Sequence, residues 1–323
     1  MNGYVGIDVS KARLDVMLLR DKKRESQAFT NTPSGFGKLS QWLKRRLAVD
    51  EVAVCLEATG PYSEGVAEYL VVEGYRVSVV NPARIKKYGE SQLQRNKTDK
   101  LDAALIADYC RRMQPDAWTP PSSEVREWQA LVRHLADLTD SRQQVANRLA
   151  TSPATDLVLP HLKAQLALLE AQIAETKRAI SDHLNHHPDL KHQADLLRSI
   201  PGIADLTIAK LIAECHDLRA FHDVRQLVAF AGLNPRHHQS GVSVFKKPAI
   251  SRTGSASLRA ALYLPAVVAI HHNPIIRAFA QRLRQRGLSG KAIVVAAMRK
   301  LLHLVYGVLK SGQPFDPNFA SPA

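Results

Sequence analysis

Near its N-terminus the chain reads Tyr4-Val5-Gly6-Ile7-Asp8-Val9-Ser10-Lys11, a run that is apolar up to a carboxylate and then reaches a turn. The run Leu14-Asp15-Val16-Met17-Leu18-Leu19 follows it, and two such runs joined by a short polar turn predict paired strands. We therefore expect a β-hairpin at the start of the fold, with Asp8 held on its first strand.

Strand and helix patterns alternate beyond this hairpin. The expected elements are a helix at about 35–47, a strand at 51–57, a helix near 63–73, a strand at 76–80, a basic stretch at 84–97 and a helix at about 98–113. Prolines 115, 120 and 121 then end the segment. Strands that alternate with helices are typical of an α/β layer, so residues 1–121 are predicted to form an α/β domain.

The next segment, residues 122–195, is helical in pattern throughout. Its apolar residues at heptad spacings are Leu162, Leu166, Leu169, Ile173, Ile180 and Leu184. Two interpretations stay open, a coiled coil and an amphipathic helix packed on its own domain. We favour the coiled coil because the polar face, with residues such as Lys163 and Glu170, suits an exposed paired rod. This segment is predicted to be a helical or coiled-coil linker for oligomerisation.

The final segment, residues 196–323, is mainly helical in pattern and is interrupted by a polar stretch from Gly232 to Gly254. Irregular segments on a helical scaffold can present side chains and backbone amides to a ligand. We therefore expect the chemistry of this domain to lie in the interruption. The predicted fold class of the whole chain is α/β plus all-α.

Charge is the main indication of a partner. The 323 residues carry a formal net charge of +14, and their 45% hydrophobic content argues against disorder. From Leu218 to Gly312 there are 15 Lys and Arg residues but only one acidic residue, Asp223. So one-sided a stretch repels itself unless an anion neutralises it, and phosphate contacts with counterion release would do so. Nucleic acid is the expected partner of this segment.

Several other classes of protein are not expected. Cys55, Cys110 and Cys215 are far apart in sequence and lack the close pairing that a zinc site needs, so we interpret them as reduced core thiols. Residues 1–10 enter a strand pattern directly, and no run approaches the roughly 20 apolar residues of a membrane span. A soluble protein without a membrane partner is therefore predicted.

Four carboxylates form a candidate metal site. Asp8 lies within a predicted strand, Glu57 ends another, and Asp99 and Asp102 are three apart on one predicted helix and so share a face. Like charges so placed repel unless a cation lies between them, and carboxylate oxygens suit Mg²⁺ or Mn²⁺. Four carboxylates could hold two ions roughly 3.5 to 4 Å apart, an arrangement used in phosphoryl transfer. Taken singly, each residue is more typical of a helix cap or a solvated charge.

A second candidate site is the turn Arg198-Ser199-Ile200-Pro201-Gly202-Ile203. It is similar to a helix-hairpin-helix turn, in which Gly permits a tight turn whose backbone amides face a phosphate. Ala204 stands where such a turn usually has a second Gly. A plain connection between two helices therefore stays an alternative.

The order of the carboxylate motifs resembles a known family. A Gly-Ile-Asp strand is followed by a strand ending Leu56-Glu57-Ala58-Thr59-Gly60 and by a helix that opens at Asn96-Lys97-Thr98-Asp99-Lys100-Leu101-Asp102-Ala103. This order resembles the RuvC-like branch of the RNase H fold and, in detail, the DEDD transposases, which include the Piv and MooV invertases and bridge-RNA-guided insertion-sequence recombinases. By position, the four family carboxylates fall on Asp8, Glu57, Asp99 and Asp102. The resemblance implies an RNase H-like N-terminal domain that binds Mg²⁺ or Mn²⁺.

The interruption at 232–254 resembles the C-terminal transposase domain of the same family. The motif runs from Phe230-Ala231-Gly232-Leu233-Asn234-Pro235-Arg236 to Gln239-Ser240-Gly241. In the family the Ser before Gly is the proposed nucleophile, which implies Ser240 here, with Ser243 and Ser251 as competitors. A serine that attacks a DNA phosphate keeps the energy of the phosphodiester in a phosphoserine. The expected nucleic-acid contacts are Lys97, Pro201, Gly202, Arg236, Lys246, Lys247, Arg252 and Arg259.

The favoured function is that of a transposase that cuts and rejoins the DNA of a mobile element in the bacterial cytoplasm, in association with the nucleoid. The resemblance implies donor and target DNA, a structured guide RNA and a homodimer or homotetramer as partners. One alternative is a metal-dependent endonuclease or Holliday-junction resolvase that uses water. Another is a non-catalytic, architectural DNA-binding protein.

Overall fold

The computed structural model describes residues 1–21, 23–58, 60–92, 99–152, 157–215, 218, 221–240, 244–251 and 253–318. The chain divides into two compact units, Met1–Pro120 and Pro121–Ala323. The predicted segments 122–195 and 196–323 both lie in the second unit.

A five-stranded mixed sheet forms the centre of the first unit. Its strands are β1 (Gly3–Val9), β2 (Arg13–Arg20), β3 (Lys23–Thr30), β4 (Val52–Glu57) and β5 (Arg76–Val80), in the spatial order β3-β2-β1-β4-β5. The first three are antiparallel neighbours, whereas β4 is parallel to β1 and β5 is parallel to β4. The predicted hairpin that holds Asp8 is confirmed, and the mixed topology fits the expected RNase H-like domain.

Helices cover both faces of this sheet. The helices of the first unit are α1 (Pro33–Lys44), α2 (Pro61–Val72), α3 (Pro82–Ser91) and α4 (Asp99–Met113). Leu39 of α1 and Leu70 of α2 pack with Ile7 in one core cluster, whereas Ile106 of α4 packs with Cys55 in another. The two clusters lie on opposite faces because successive side chains of a strand alternate.

Two elements of this unit did not follow from the sequence. Strand β3 is largely exposed at the edge of the sheet, so it lacks the apolar alternation that predicts a strand. Helix α3 occupies part of the basic stretch at 84–97, and Asn81 caps it by accepting a hydrogen bond from the Ala83 amide at 2.8 Å. The pair Asn81-Pro82 therefore begins a helix as well as ending β5.

The second unit is mainly helical. Its elements are α5 (Ser123–Thr151), α6 (Leu159–His186), α7 (Pro188–Arg198), α8 (Asp205–Cys215), α9 (Val224–Phe230), β6 (Pro235–Ser240), β7 (Val244–Ile250), α10 (Ala256–His272), α11 (Pro274–Gln285) and α12 (Gly290–Ser311). The interruption predicted to be irregular contains an antiparallel hairpin, β6–β7. The prediction was wrong there because polar residues mask the strand pattern.

The heptad stripe of α6 packs inside the chain. Leu162 and Leu169 of α6 form a cluster with Leu138 and Val145 of α5. Towards the other end of the helix, Ile180 joins the main core of the second unit. The stripe is thus covered by the unit's own residues, in agreement with the amphipathic-helix interpretation, and an oligomerisation role for the segment stays a prediction.

Helix α12 is long and apolar enough to span a membrane by length and composition alone. It has 22 residues, a mean hydropathy of 1.7 over its most apolar window, and 44% of that window is buried. Its buried residues, such as Leu301 and Val305, belong to the main core cluster of the second unit. Core packing therefore accounts for part of this apolar composition.

Candidate carboxylate site and serine hairpin

Asp8 and Glu57 lie at the same end of two neighbouring parallel strands. The last paired residues of β1 and β4 in the register are Ile7 and Leu56, and each carboxylate is the next residue of its strand. Both side chains are partly exposed. Side chains at matching positions of adjacent strands point to the same face, so the two carboxylates share one face at the carboxyl end of the strands.

That face is the one that α4 covers. A Cβ added to Gly6 would lie 2.2 Å from the Ala103 carbonyl oxygen and 2.3 Å from the Ala107 nitrogen, so β1 and α4 meet there at backbone distance. Asp8 lies two residues beyond Gly6 and therefore shares its face. The absence of a side chain at Gly6 allows this close approach.

The thiol of Cys55 locates Glu57 on the same face. Cys55 is buried with residues of α4, and Glu57 lies two residues farther along β4. The pKa of the Cys55 thiol is raised, first by a hydrogen bond with Cys110 and then by burial, and the negative charge of Glu57 raises it further. All three cysteines are buried in the cores, as predicted.

Helix α4 runs antiparallel to β1. Ala103 faces Gly6, whereas the Cys110 thiol donates a hydrogen bond of 3.7 Å to the carbonyl of Ala53, whose strand partner is Tyr4. The N-terminal end of α4 therefore reaches the carboxyl ends of β1 and β4. Asp102 lies at this end and is partly exposed, and Asp99 is the first residue of the helix.

The fold thus brings three predicted carboxylates, Asp8, Glu57 and Asp102, to one end of the sheet. The side chain of Asp99 lies outside the described part of the chain. Among the described residues, no group of three His, Cys, Asp or Glu side chains is close enough together to hold a metal ion. The described carboxylates lie at the same end of the sheet, but they are not close enough together to bind a metal ion by themselves.

A fifth acidic residue, Asp15, was not predicted as part of this site. It lies directly opposite Asp8 in the β1–β2 ladder and is only 7% exposed. Arg13 donates to it from both Nε and Nη2, at 2.9 and 2.8 Å. The presence of a carboxylate inside an apolar strand run was the signal that could have identified it, since a buried charge requires a partner.

A cavity of about 200 Å³ adjoins this ion pair. It is lined by Arg13, Asp15, Val16, Ser26, Gln27, Ala28 and Ala103. Ala103 belongs to α4 and the other residues to β2 and β3, so the cavity lies on the same face of the sheet as Asp8. It gives the carboxylate end of the sheet a small recess of mixed polar and apolar lining.

The turn between α7 and α8 is packed closely against α10. Gly202 has a φ of +103°, and a Cβ there would lie 2.8 Å from the Cβ of Ala269. Asp205 begins α8, and its carboxylate accepts a hydrogen bond of 2.9 Å from Arg198. An acidic residue thus lies in the first turn of α8, where the helix dipole favours negative charge, so the structure fits the plain-connection alternative as well as a phosphate-binding turn. The roles of Pro201 and Gly202 stay predictions.

Ser240 is the last residue of β6 and is the strand partner of Val244. The side chains of Arg236, Ser240, Lys246 and Lys247 lie outside the described part, so these residues are located by their backbone only. The predicted positions Lys97, Ser243 and Arg252 lie outside the described residues altogether. Ser251 closes the other end of the hairpin, where its amide donates to the Asn234 carbonyl at 2.8 Å.

Arg259 has a different environment from the one expected of a phosphate contact. It is partly buried, and its Nη1 donates to the carbonyls of Ala231 and Gly254, at 3.1 Å each. These carbonyls belong to the segments that enter and leave the hairpin. The nucleic-acid contact that the sequence led us to expect at Arg259 stays a prediction.

Both parts of the chain are similar to known transposases. Residues 5–152 match the DEDD transposase family of IS110, and residues 194–281 match the transposase family IS116/IS110/IS902. The pilin gene-inverting protein of Moraxella bovis is 35% identical over 320 residues, which cover 97% of each chain. The transposase for insertion sequence element IS1111A of Coxiella burnetii is 26% identical over 263 residues, 73% of this chain and 70% of that protein. Among solved structures, Thermus thermophilus RuvC bound to a Holliday junction is 14% identical with a TM-score of 0.29, covering 36% of this chain and 99% of that one.

Proposed function

Because the chain belongs to the IS110 family of DEDD transposases, we propose that it is a DNA recombinase that cuts and rejoins the strands of a mobile element with a carboxylate site and a serine nucleophile. The two family matches cover the unit that contains the carboxylates and the segment that contains Ser240. Enzymatic action on DNA follows from the family. What we propose is the chemistry of that action, a carboxylate site and a serine nucleophile.

The observation that carries the proposal is that Asp8, Glu57 and Asp102 lie at the same end of the sheet, where α4 begins. Carboxylate oxygens are the donors that Mg²⁺ and Mn²⁺ prefer. The donor chemistry fits a divalent cation, with Asp99 as the fourth ligand at the first position of α4. When bound, such an ion would stabilise negative charge on a phosphate oxygen.

Ser240 forms the covalent link in this proposal. Its hydroxyl oxygen forms a bond to the DNA phosphorus, its proton passes to solvent, and the bond between the phosphorus and one deoxyribose oxygen breaks. The departing deoxyribose oxygen takes a proton from solvent, so that strand leaves with a free hydroxyl group. A hydroxyl of a second strand then attacks the phosphoserine and releases Ser240, so rejoining requires no ATP.

The remaining partners are proposed on the same grounds. Donor and target DNA are the substrates, and a structured RNA of the element selects the two sites. The basic second unit, which has no acidic residue between Asp223 and Asp316, suits both polyanions. A homodimer or homotetramer would bring a carboxylate site and a serine hairpin together, and the reaction would occur at DNA in the cytoplasm.

Hydrolysis by water is the second candidate. The carboxylate end of the sheet supports it equally well, because a metal-dependent nuclease needs the same ligands. A product assay on the intact protein distinguishes the two. Supercoiled DNA with the element ends, incubated with the element's RNA and Mg²⁺, should yield exchanged and rejoined strands without ATP.

Asp8→Asn and added chelator should each abolish this reaction while DNA binding persists. A reaction that leaves only nicked or linear DNA would instead support the nuclease. Full activity in chelator would contradict the carboxylate site itself.

A further inference from the structure

The root of the β6–β7 hairpin consists of the two chain segments at its base, residues 230–234 before β6 and 251–255 after β7. One side chain bonds to both of them. Arg259 of α10 donates from Nη1 to the carbonyl of Ala231, before β6, and to that of Gly254, after β7, with both distances 3.1 Å. A hydrogen bond from a charged donor is stronger than one between neutral groups. One guanidinium therefore joins the two chain segments from which the hairpin extends.

The two segments also approach each other at backbone distance. The amides of Ser251 and Ser255 donate to the carbonyls of Asn234 and Phe230, at 2.8 Å each. Gly254 has a φ of +149°, and a Cβ there would lie 2.3 Å from the carbonyl oxygen of Phe230. Such contact needs a glycine, so the root has little freedom to rearrange.

The root is in turn fixed to the core of the second unit. The Ser255 hydroxyl accepts from the Leu258 amide at 3.0 Å, which caps α10, and donates to the Glu214 carboxylate of α8 at 2.8 Å. Ala231 and Leu258, which adjoin the root, are fully buried in the main core cluster. The hairpin therefore starts from a rigid base formed by α8, α9 and α10.

We propose that Arg259 is a positioning residue for the recombination reaction, which fixes the direction of the Ser240 hairpin and does not contact DNA phosphate. The proposal rests on the proposed role of Ser240. Loss of Arg259 would let the hairpin pivot at its root while the core and the basic surface stay in place. A displacement of about 1 Å at a reacting group can cost on the order of 10²-fold in rate.

The test compares Arg259→Ala and Arg259→Gln in the full-length protein, with Arg284→Ala on exposed α11 as a control for the loss of one positive charge. Three quantities are measured: the slope of log affinity for DNA against log salt, the single-turnover cleavage rate, and hydrogen exchange of the amides of β6 and β7. Gln keeps a donor for the two carbonyls but has no charge, so it separates anchoring from phosphate binding.

We expect Arg259→Ala to keep the salt slope of the parent, to lose about 10²-fold in cleavage rate and to exchange its hairpin amides faster. Arg259→Gln should recover part of the rate and of the protection. A phosphate contact predicts the opposite pattern, in which both Arg259 variants lose roughly 0.9 in slope and keep normal hairpin exchange. That pattern, or a normal cleavage rate in Arg259→Ala, would overturn the proposal.

Ser240→Ala separates this inference from the proposed function. If Ser240→Ala cleaves normally, the serine mechanism fails, whereas the exchange data still report whether Arg259 holds the root. If Arg259→Ala unfolds globally in a thermal melt, the decision falls to Arg259→Gln, whose unchanged slope and reduced rate support anchoring and whose reduced slope refutes it.

Discussion

At the scale of single residues, the Arg13–Asp15 pair determines the charge that Asp8 faces. Residues directly opposite in an antiparallel ladder have Cβ atoms about 4.5 to 5.5 Å apart. Asp15 would repel Asp8 strongly if its charge were not offset by the hydrogen-bonded ion pair with Arg13. Arg13 would in turn attract the Asp8 carboxylate if Asp15 were neutral, and would compete there with a divalent cation.

Asp15→Asn should therefore raise the Mg²⁺ concentration needed for half-maximal cleavage by about tenfold, since a charge pair at 4 Å is worth roughly 1 to 4 kcal/mol at a protein surface or in water. The double variant Arg13→Gln/Asp15→Asn removes both charges and should restore the Mg²⁺ concentration needed for half-maximal cleavage to near that of the parent. The measurement is a Mg²⁺ titration of cleavage, with direct Mn²⁺ binding as a second readout. If the parent and Asp15→Asn need the same Mg²⁺ concentration, the Arg13–Asp15 pair is only structural.

The order of the motifs and the family resemblance were enough to name Asp8, Glu57 and Asp102 as candidate ligands, and that role stays a prediction. The sequence alone could not show that Asp8 and Glu57 share a face, because this depends on the register between β1 and β4. Asp15 was overlooked for the same reason, since only cross-strand pairing sets it opposite Asp8. The bonds of Arg259 to backbone carbonyls depend on tertiary packing that no local pattern records.

At the scale of elements, the contact between β1 and α4 determines where Asp102 and the first residue of α4 lie. A Cβ at Gly6 would meet backbone atoms of Ala103 and Ala107, so Gly6→Ala must push α4 away from the sheet. Overpacking of this kind typically costs about 1 to 3 kcal/mol. The carboxylates of α4 would move away from Asp8 and Glu57 with the helix.

We expect Gly6→Ala to lower the free energy of unfolding by that amount and to reduce cleavage far more than DNA binding. Gly37→Ala in α1 is the matched control, because the nearest atom to its Cβ would be the Tyr69 hydroxyl at an ordinary 3.6 Å. Denaturant unfolding and a cleavage assay measure the two effects. Normal cleavage by a folded Gly6→Ala protein would mean that the distance between α4 and β1 does not control the site.

The α5–α6 pair gives an element-scale test of the heptad stripe. Leu169 is 9% exposed in the cluster between the two helices, whereas its neighbour Leu168 is 59% exposed. Leu169→Ala should destabilise the protein by about 2 to 5 kcal/mol, independently of protein concentration. Leu168→Ala should change stability by less than about 0.5 kcal/mol. If the loss of unfolding free energy in Leu169→Ala becomes smaller as protein concentration rises, the stripe forms a coiled coil between chains instead.

At the scale of the whole molecule, charge and chemistry are divided between the two units. The first unit contains the carboxylate end of the sheet, and the second contains the basic segment and the serine hairpin. No acidic residue lies between Asp223 and Asp316, so nearly every charge in that segment can attract phosphate. The strand pair β6–β7 and the edge strand β3 escaped prediction because polar side chains hide strand periodicity, whereas the apolar strands of the central sheet were identified.

The proposed recombination reaction depends most directly on a covalent link between Ser240 and DNA. The measurement is incubation of the full-length protein with a suicide DNA substrate that cannot be rejoined, followed by mass spectrometry of the attached peptide. We predict a protein–DNA adduct at Ser240 that Ser240→Ala eliminates while DNA binding persists, and that Ser243→Ala retains. The contrary result is no adduct from any variant, free 5'-phosphate and 3'-hydroxyl ends, and near-normal cleavage by Ser240→Ala, which would make water the nucleophile.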